Sequence, residues 1–223
     1  MKHTYIILAS LLACLVLYLV EQVLQADYIV KTVAKILLFV VLPYLYIKLI
    51  KKSTLIKELQ LRGSINQIKL GLIFGTASFL IVLLTYFLLQ DQLNLDQIAD
   101  ELKTKSNVTA QNFILIGIYI TFGNSFLEEF FFRGFIFLNL YESGRKRLAY
   151  LFSSVLFGVY HIAIFQTWFN VWLIGLALIG LIVIGLIFNW INTHSKNFLN
   201  SWIVHILADS AIILIGLRMF DII

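Results

Sequence analysis

Ionisable side chains inside long apolar runs are the residues of this sequence best suited to chemistry. Glu128 and Glu129 are adjacent, and Arg133 follows four residues after the second, all within an apolar and aromatic run from Phe113 to Leu140. A charged side chain in hydrocarbon costs about 2.5 to 3.5 kcal/mol on an insertion scale, so such residues usually mark functional sites. This run is therefore the first candidate for an active site.

Two histidines and an aspartate complete the set of ionisable groups at depth. His205 and Asp209 are four residues apart and therefore share one face of a helix. Glu128 lies 16 residues before Gly144 and His161 lies 17 residues after it. In a helical hairpin that turns at this glycine, both side chains stand roughly 24 Å from the turn. The spacing predicts that Glu128 faces His161 across two antiparallel helices.

The two glutamates are predicted to have different roles. Glu129 and Arg133 have the acid-before-base spacing of an intrahelical ion pair, which keeps Glu129 ionised. Glu128 points about 100° away around the helix and has no such partner, so it is the better candidate for a group whose proton moves. A carboxylate beside a neutral imidazole, here His161, can act as a base that activates water. Taken singly, each histidine is more typical of helix packing; the six groups together favour a functional site.

Composition predicts the elements that must position these groups. Hydrophobic residues make up 61% of the 223 residues and charged residues 13%, with a mean hydropathy of +0.92, which excludes a soluble domain. One proline and 12 glycines favour long helices over a strand-rich barrel. The fold class is therefore all-α, a polytopic bundle of about seven membrane helices, and the single Cys14 excludes an internal disulfide. The predicted spans are Tyr5 to Val20, Val33 to Ile50, Leu70 to Leu89, Phe113 to Leu140, Leu148 to Phe165, Val171 to Ile191 and Phe198 to Leu217.

The ionisable groups divide this single membrane domain, residues 1–223, into two parts. The six groups lie in the fourth, fifth and seventh spans, so residues 111–217 are predicted to carry the catalytic helices. The first three spans carry no equivalent group at depth, and residues 1–110 are predicted to be a scaffold.

The distribution of charge predicts the orientation in the cell membrane. Basic residues crowd the segment from Lys48 to Lys69, with Lys57 and Arg62 among them, and again the turn from Arg145 to Arg147, whereas the loop from Asp91 to Gln111 is slightly acidic. The positive-inside rule then puts the N-terminus in the cytoplasm and the C-terminus outside. Since the net charge of +5 sits in these loops, a role in nucleic-acid binding is excluded. Within the acidic loop, the spacing of Leu95, Ile98 and Leu102 fits either a short interfacial helix or a solvated loop.

Three short motifs resemble those of a known family. They are Glu-Glu-x-x-x-Arg at Glu128 to Arg133, Phe-x-x-x-His at Phe157 to His161, and His-x-x-x-Asn/Asp at His205 to Asp209. In this order on membrane helices, they resemble the CPBP (Abi) intramembrane proteases, which include CAAX prenyl endopeptidases and bacteriocin-processing enzymes. The resemblance covers roughly residues 124–211.

The resemblance implies a role for each motif residue. Glu128 would activate the hydrolytic water with assistance from His161, and Glu129 and Arg133 would support the site. His205 and the residue four positions later would stabilise the oxyanion. That later residue is Asp209, where many members have Asn, so it orients or charges His205 unless it is protonated.

The residue types fit more than one cofactor and more than one class of substrate. Glu128, His161 and His205 are the types of residue that bind zinc with three protein ligands, yet a Glu and His pair also activates water without metal, and the second mechanism is favoured. The resemblance implies cleavage of peptides or membrane proteins near the cytoplasmic face, of CAAX type or in bacteriocin or pheromone processing or self-immunity. The alternatives are a non-catalytic scaffold or immunity protein with the same fold, and a proton-coupled transporter. Oligomeric state has no signature in the sequence.

Overall fold

The computed structural model describes residues 2–54 and 68–223, and its regular structure within those ranges is entirely helical. Seven helices in them are long and apolar enough to cross a membrane, which confirms the predicted all-α class and the predicted seven spans. The basic residues Lys57 and Arg62 lie outside the described residues. The helices are α1 (His3–Val23), α2 (Tyr28–Lys51), α3 (Lys69–Gln92), α4 (Leu95–Ser106), α5 (Phe113–Glu142), α6 (Lys146–Phe165), α7 (Val171–Ser195) and α8 (Leu199–Met219), of which α4 is too short and polar to span.

Local sequence signals explain where several helices begin and turn. The side chains of Asp27, Asn94 and Asn170 accept hydrogen bonds from backbone N–H groups in the first turns of α2, α4 and α7. Gly144 adopts a φ of +86° between α5 and α6, a conformation open to glycine at little cost, so the predicted hairpin turn is present. These caps and this turn fix which residues of neighbouring helices stand side by side.

Helix α5 forms the centre of the bundle and is irregular on both sides of its glutamates. Wider π-helical turns at Tyr119–Asn124 and Phe130–Leu138 flank the α-helical Ser125–Glu129. All nine residues of the second wide turn are buried, and Phe131 stacks on Phe39 of α2 with ring centroids 4.0 Å apart. Such turns inside α-helices are often found at functional sites.

Helices α3 and α8 approach closely through a glycine. The backbone N–H of Gly71 donates to the side-chain oxygen of Asn200 at 2.8 Å. A Cβ at Gly71 would lie 2.9 Å from the backbone oxygen of Asn200, closer than such atoms normally come. The absence of a side chain at Gly71 therefore allows α3 to support α8.

Helix α4 lies at the end of the bundle where α2 and α5 begin and α6 ends, named here the α4 end. The sequence predicts either a short helix or a solvated loop in the acidic segment, and the structure shows the helix. Ile98 is buried against the bundle, and Glu101 accepts a hydrogen bond from Thr167, in the loop between α6 and α7, at 2.8 Å. Partial burial acts to raise the pKa of Glu101, but hydrogen bonds from Lys105, Thr167 and Gln97 outweigh it and hold the pKa below the usual value.

Candidate active site

Three spanning helices bring the predicted catalytic side chains together. Oε2 of Glu128 on α5 lies 3.3 Å from Nε2 of His161 on α6 and 3.7 Å from Nε2 of His205 on α8. The glutamate is 1% exposed. By helical rise it lies about 22 Å from the start of α5 and about 21 Å from its end, so Glu128 is near the middle of α5. The predicted juxtaposition of Glu128 and His161 is confirmed.

Hydrogen bonds determine which nitrogen of each imidazole faces Glu128. Nδ1 of His161 is 2.8 Å from the carbonyl oxygen of Phe157, and because a carbonyl only accepts, Nδ1 must donate. Nδ1 of His205 is 3.1 Å from a carboxylate oxygen of Glu129 and donates in the same way. Both rings therefore turn Nε2 toward Glu128.

Glu129 connects two helices through one oxygen. Its Oε1 lies 3.0 Å from Nη1 of Arg133 and 3.1 Å from Nδ1 of His205. The ion pair with Arg133 is the one that the spacing predicts; the contact with His205 on α8 was not predicted from the sequence. Glu129 therefore holds the orientation of His205.

Arg133 is fixed by aromatic rings as well as by charge. Its guanidinium carbon lies 4.1 Å from the ring centre of Phe157 and 4.5 Å from that of Phe188, and the side chain is 0% exposed. Desolvated cation–π contacts of this kind contribute about 2 kcal/mol or more. These contacts offset part of the free-energy cost of burying the guanidinium. Its nitrogens form no well-aligned hydrogen bond with the described residues.

Asp209 approaches His205 without forming a hydrogen bond. Oδ1 of Asp209 is 3.8 Å from Nε2 of His205, beyond hydrogen-bond distance. Its other oxygen is buried and accepts no hydrogen bond from any residue in the described ranges, and the same is true of Oε2 of Glu128. Asp209 is therefore within electrostatic range of His205 but is not hydrogen-bonded to it.

Lys35 on α2 contacts the site and was not predicted from the sequence. Its Nζ lies 3.1 Å from Oε1 of Glu128 and 2.6 Å from Oδ1 of Asn124. The expectation that the first three spans carry no ionisable group at depth is therefore wrong, as is the expectation that Glu128 has no ionic partner. The predicted second span began at Val33, whereas the helix begins at Tyr28 and puts Lys35 two turns inside. The helix-capping Asp27 was the signal that would have revealed this start.

Two further polar residues next to the glutamates have defined partners. Asn124 donates from Nδ2 to Oε1 of Glu128 at 2.9 Å. Ser125 accepts a hydrogen bond at 3.0 Å from the indole N–H of Trp202, whose ring packs edge-on against Phe126. Trp202 is therefore part of the wall around the site, in addition to lying near the end of its span.

The predicted zinc ligands do not fit a metal site in this structure. Among residues 2–54 and 68–223, no group of three or more His, Cys, Asp or Glu side chains has an arrangement that could hold a metal ion. Lys35 also sits on the carboxylate of Glu128, and its positive charge at 3.1 Å opposes a second cation there.

A small polar cavity lies one helical turn from the cluster, toward the α4 end. Its volume is about 40 Å³, room for a few water molecules. Lys31 lines it four residues before Lys35, and Ile164 lines it three residues after His161. Its other lining residues are Glu21, Gln22, Gln25, Glu101, Leu102, Lys105, Ser106, Thr167 and Trp168.

Comparison with known families assigns a domain to the second half of the chain. Residues 110–211 match the family model described as Type II CAAX prenyl endopeptidase Rce1-like. The matched segment starts just before α5, ends within α8 and includes all six predicted site residues, whereas Lys35 lies outside it. No curated protein matches the chain, and no solved structure does.

Proposed function

Because its Rce1-like domain makes this chain a member of the CPBP (Abi) family, we propose that it is an intramembrane endopeptidase in which Glu128 activates the hydrolytic water. The observation that carries the proposal is the division of the Glu128 carboxylate. One oxygen is anchored by Lys35, and the other faces His161 and His205 at 3.3 and 3.7 Å. A carboxylate with one fixed and one unbonded oxygen is suited to taking a proton from water.

The first step is addition of water to the scissile carbonyl. Glu128 takes a proton from the water through Oε2 while the water oxygen bonds to the carbonyl carbon, and the carbonyl π electrons move to the oxygen. The neutral form of His161, with its lone pair on Nε2, accepts a hydrogen bond from the same water and orients it. General base catalysis of this kind contributes typically about 10² to 10⁴ in rate.

His205 is the proposed donor to the resulting oxyanion. Because its Nδ1 proton is committed to Glu129, Nε2 can donate only when the ring is an imidazolium. The carboxylates of Glu128, Glu129 and Asp209 all approach the ring, so that a positive charge on it is compensated electrostatically. Asp209 thus supports the oxyanion through His205, which fits its distance of 3.8 Å better than direct donation does.

The second step is collapse of the tetrahedral intermediate. The carbonyl double bond re-forms, the C–N bond breaks, and the leaving nitrogen takes the proton that Glu128 removed from water. Glu129 and Arg133 take no part in proton transfer; they hold His205 in place. No metal is needed to balance these steps.

The proposed substrates are peptides or membrane proteins whose scissile bond reaches the membrane interior. Seven apolar helices within the described residues make the chain a multi-pass membrane protein, and Glu128 lies near the middle of its own helix. The family model names prenyl endopeptidases, so a prenylated CAAX peptide is one substrate class, and leader, pheromone or bacteriocin peptides are the other. The charge pattern supports a cytoplasmic N-terminus, which puts the α4 end on the external side.

The experiment uses the full chain reconstituted in liposomes with two fluorogenic probes, a farnesylated CAAX peptide and the same peptide without the lipid. Alanine at Glu128, His161 or His205 should each lower cleavage of the probe that the wild type accepts by at least about 100-fold while insertion and thermal stability persist. Cleavage unaffected by a chelator is expected. Wild-type activity in all three variants would overturn the proposal, and a stable wild type that cleaves neither probe nor a leader peptide would favour a non-catalytic immunity protein.

A further inference from the structure

Lys35 is a half-buried cation in a part of the chain that the family model does not cover. It lies on α2, seven residues after the helix begins, and its side chain is 15% exposed. An ammonium at the centre of a membrane helix costs about 2.5 to 3.5 kcal/mol on an insertion scale, and one nearer the helix end costs less. Its surroundings must compensate that cost, and they identify what Lys35 acts on.

The partners of Lys35 come from the two helices that carry Glu128 and His161. Nζ donates to Oδ1 of Asn124 at 2.6 Å and to Oε1 of Glu128 at 3.1 Å, both on α5. It also lies 5.2 Å from the ring centre of Tyr160, the residue before His161 on α6. The ammonium of Lys35 therefore contacts Glu128 directly and also contacts the residue next to His161.

Lys35, Asn124 and Glu128 form a closed ring of hydrogen bonds. Lys35 donates to both other residues, and Asn124 in turn donates from Nδ2 to the same Oε1 of Glu128 at 2.9 Å. Two donors on one oxygen fix the rotation of the carboxylate plane. The second oxygen is thereby directed at the imidazoles of His161 and His205.

From this ring we infer that Lys35 is a positioning residue for Glu128, through which the N-terminal helices take part in the active site. The inference rests on the proposed function of Glu128 as base. Lys35 acts through the orientation of that carboxylate and not through contact with substrate. A misplaced base should therefore lower kcat while the KM for the substrate stays nearly constant.

Lys31 provides a matched control on the same helix. It lies one turn before Lys35, its side chain is also 15% exposed, and it forms an ion pair with Glu21 at 2.7 Å. Replacing it removes a half-buried ion pair of α2 without touching Glu128. If the lysines of α2 only stabilised the helix, replacing Lys31 and replacing Lys35 would lower kcat to a similar extent.

The test measures kcat and KM of the reconstituted full chain with whichever fluorogenic probe the wild type cleaves. Lys35→Met should lower kcat about 10- to 100-fold with KM within threefold, Lys35→Arg should recover part of the loss, and Lys31→Met should stay within threefold of wild type. If Lys35→Met does not fold, Asn124→Ala removes one donor of the ring and should lower kcat in the same way.

Three results would overturn the inference: kcat unchanged in Lys35→Met, a rise of KM alone, or an equal loss in Lys31→Met. An inactive Glu128→Gln variant beside a fully active Lys35→Met variant would reject the role of Lys35 and leave the proposed function standing. Full activity in Glu128→Gln would reject the proposed function itself.

Discussion

At the scale of residues, the two oxygens of Glu128 have different neighbours, which leaves one oxygen anchored and the other without a hydrogen bond in the part of the chain that the structure describes. Lys35 and Asn124 bind one oxygen, and His161 and His205 face the other. The adjacent Glu129 also has one oxygen without a hydrogen bond among the described residues, but its Oε1 is engaged by a guanidinium and an imidazole. These different partners support the proposal that the two carboxylates have separate tasks, one chemical and one structural.

Replacing Asp209 tests whether it acts by charge. Asp209→Asn keeps the size of the side chain and introduces an amide that can itself donate to an oxyanion. We expect this variant and Asp209→Leu, which has neither charge nor donor, both to lower kcat about 10- to 100-fold, because neither supplies the negative charge that compensates a His205 imidazolium. Steady-state cleavage by the two variants measures the loss. Wild-type kcat in Asp209→Asn would contradict a role by charge and would show that a hydrogen-bond donor at this position suffices.

Replacing Arg133 tests the structural task of Glu129. Arg133→Met leaves the carboxylate of Glu129 buried without its cation, which should destabilise the fold by about 3 to 5 kcal/mol. Thermal unfolding in detergent should show a lower Tm, and the double variant Glu129→Gln with Arg133→Met should recover part of it. An unchanged Tm in Arg133→Met would contradict a structural ion pair.

Local contacts of the site could be predicted from the sequence, and distant ones could not. The pair of Glu129 and Arg133 follows from helical spacing, and the meeting of Glu128 with His161 follows from counting residues on either side of one glycine turn. The contact of Lys35 with Glu128 joins residues 93 positions apart, and that of Glu129 with His205 joins residues 76 apart. Such contacts depend on how helices pack and rotate, which no local pattern determines.

At the scale of elements, α4 is attached to the bundle by a few polar contacts. Glu101 accepts a hydrogen bond from Thr167 in the loop that follows α6, and Ser106 accepts one from Lys31 on α2 at 3.3 Å. The polar cavity next to the proposed site is lined in part by this helix. The sequence identified the apolar face of α4 but not its attachment, since that depends on a loop some 60 residues later.

Acidification should loosen α4 through Glu101. Because its pKa in the folded protein lies below the usual value, the carboxylate stabilises the attached helix at neutral pH, and this stabilisation is lost as the pH falls through the lowered pKa. A spin label at exposed Lys103→Cys should become more mobile between pH 7 and pH values below about 4.

The control for this experiment is Glu101→Gln, which should be mobile at both pH values. The native Cys14 is buried and should not take the label. Label mobility that is independent of pH in the wild type would show that Glu101 does not hold α4.

At the scale of the whole molecule, the described helices pack as a bundle of apolar spans around a polar centre. The seven spans and the all-helical class of residues 2–54 and 68–223 follow from composition and hydropathy, because lipid requires backbone groups to be paired within helices or closed barrels and the sequence favours helices. The division into scaffold helices, residues 1–110, and catalytic helices, residues 111–217, stays a prediction. Helix α2 contributes Lys35 to the centre, and α3 supports α8, which carries His205.

Turnover by Glu128→Gln in liposomes distinguishes a catalytic base at Glu128 from a purely structural carboxylate. Glutamine keeps the shape of the side chain and its oxygen toward Lys35, but it cannot take a proton from water. We expect kcat on the cleaved fluorogenic probe to fall at least about 100-fold in protein that still inserts, with a lower Tm because Lys35 loses its anionic partner. A kcat within tenfold of the wild-type value in a properly inserted protein would contradict Glu128 as the base.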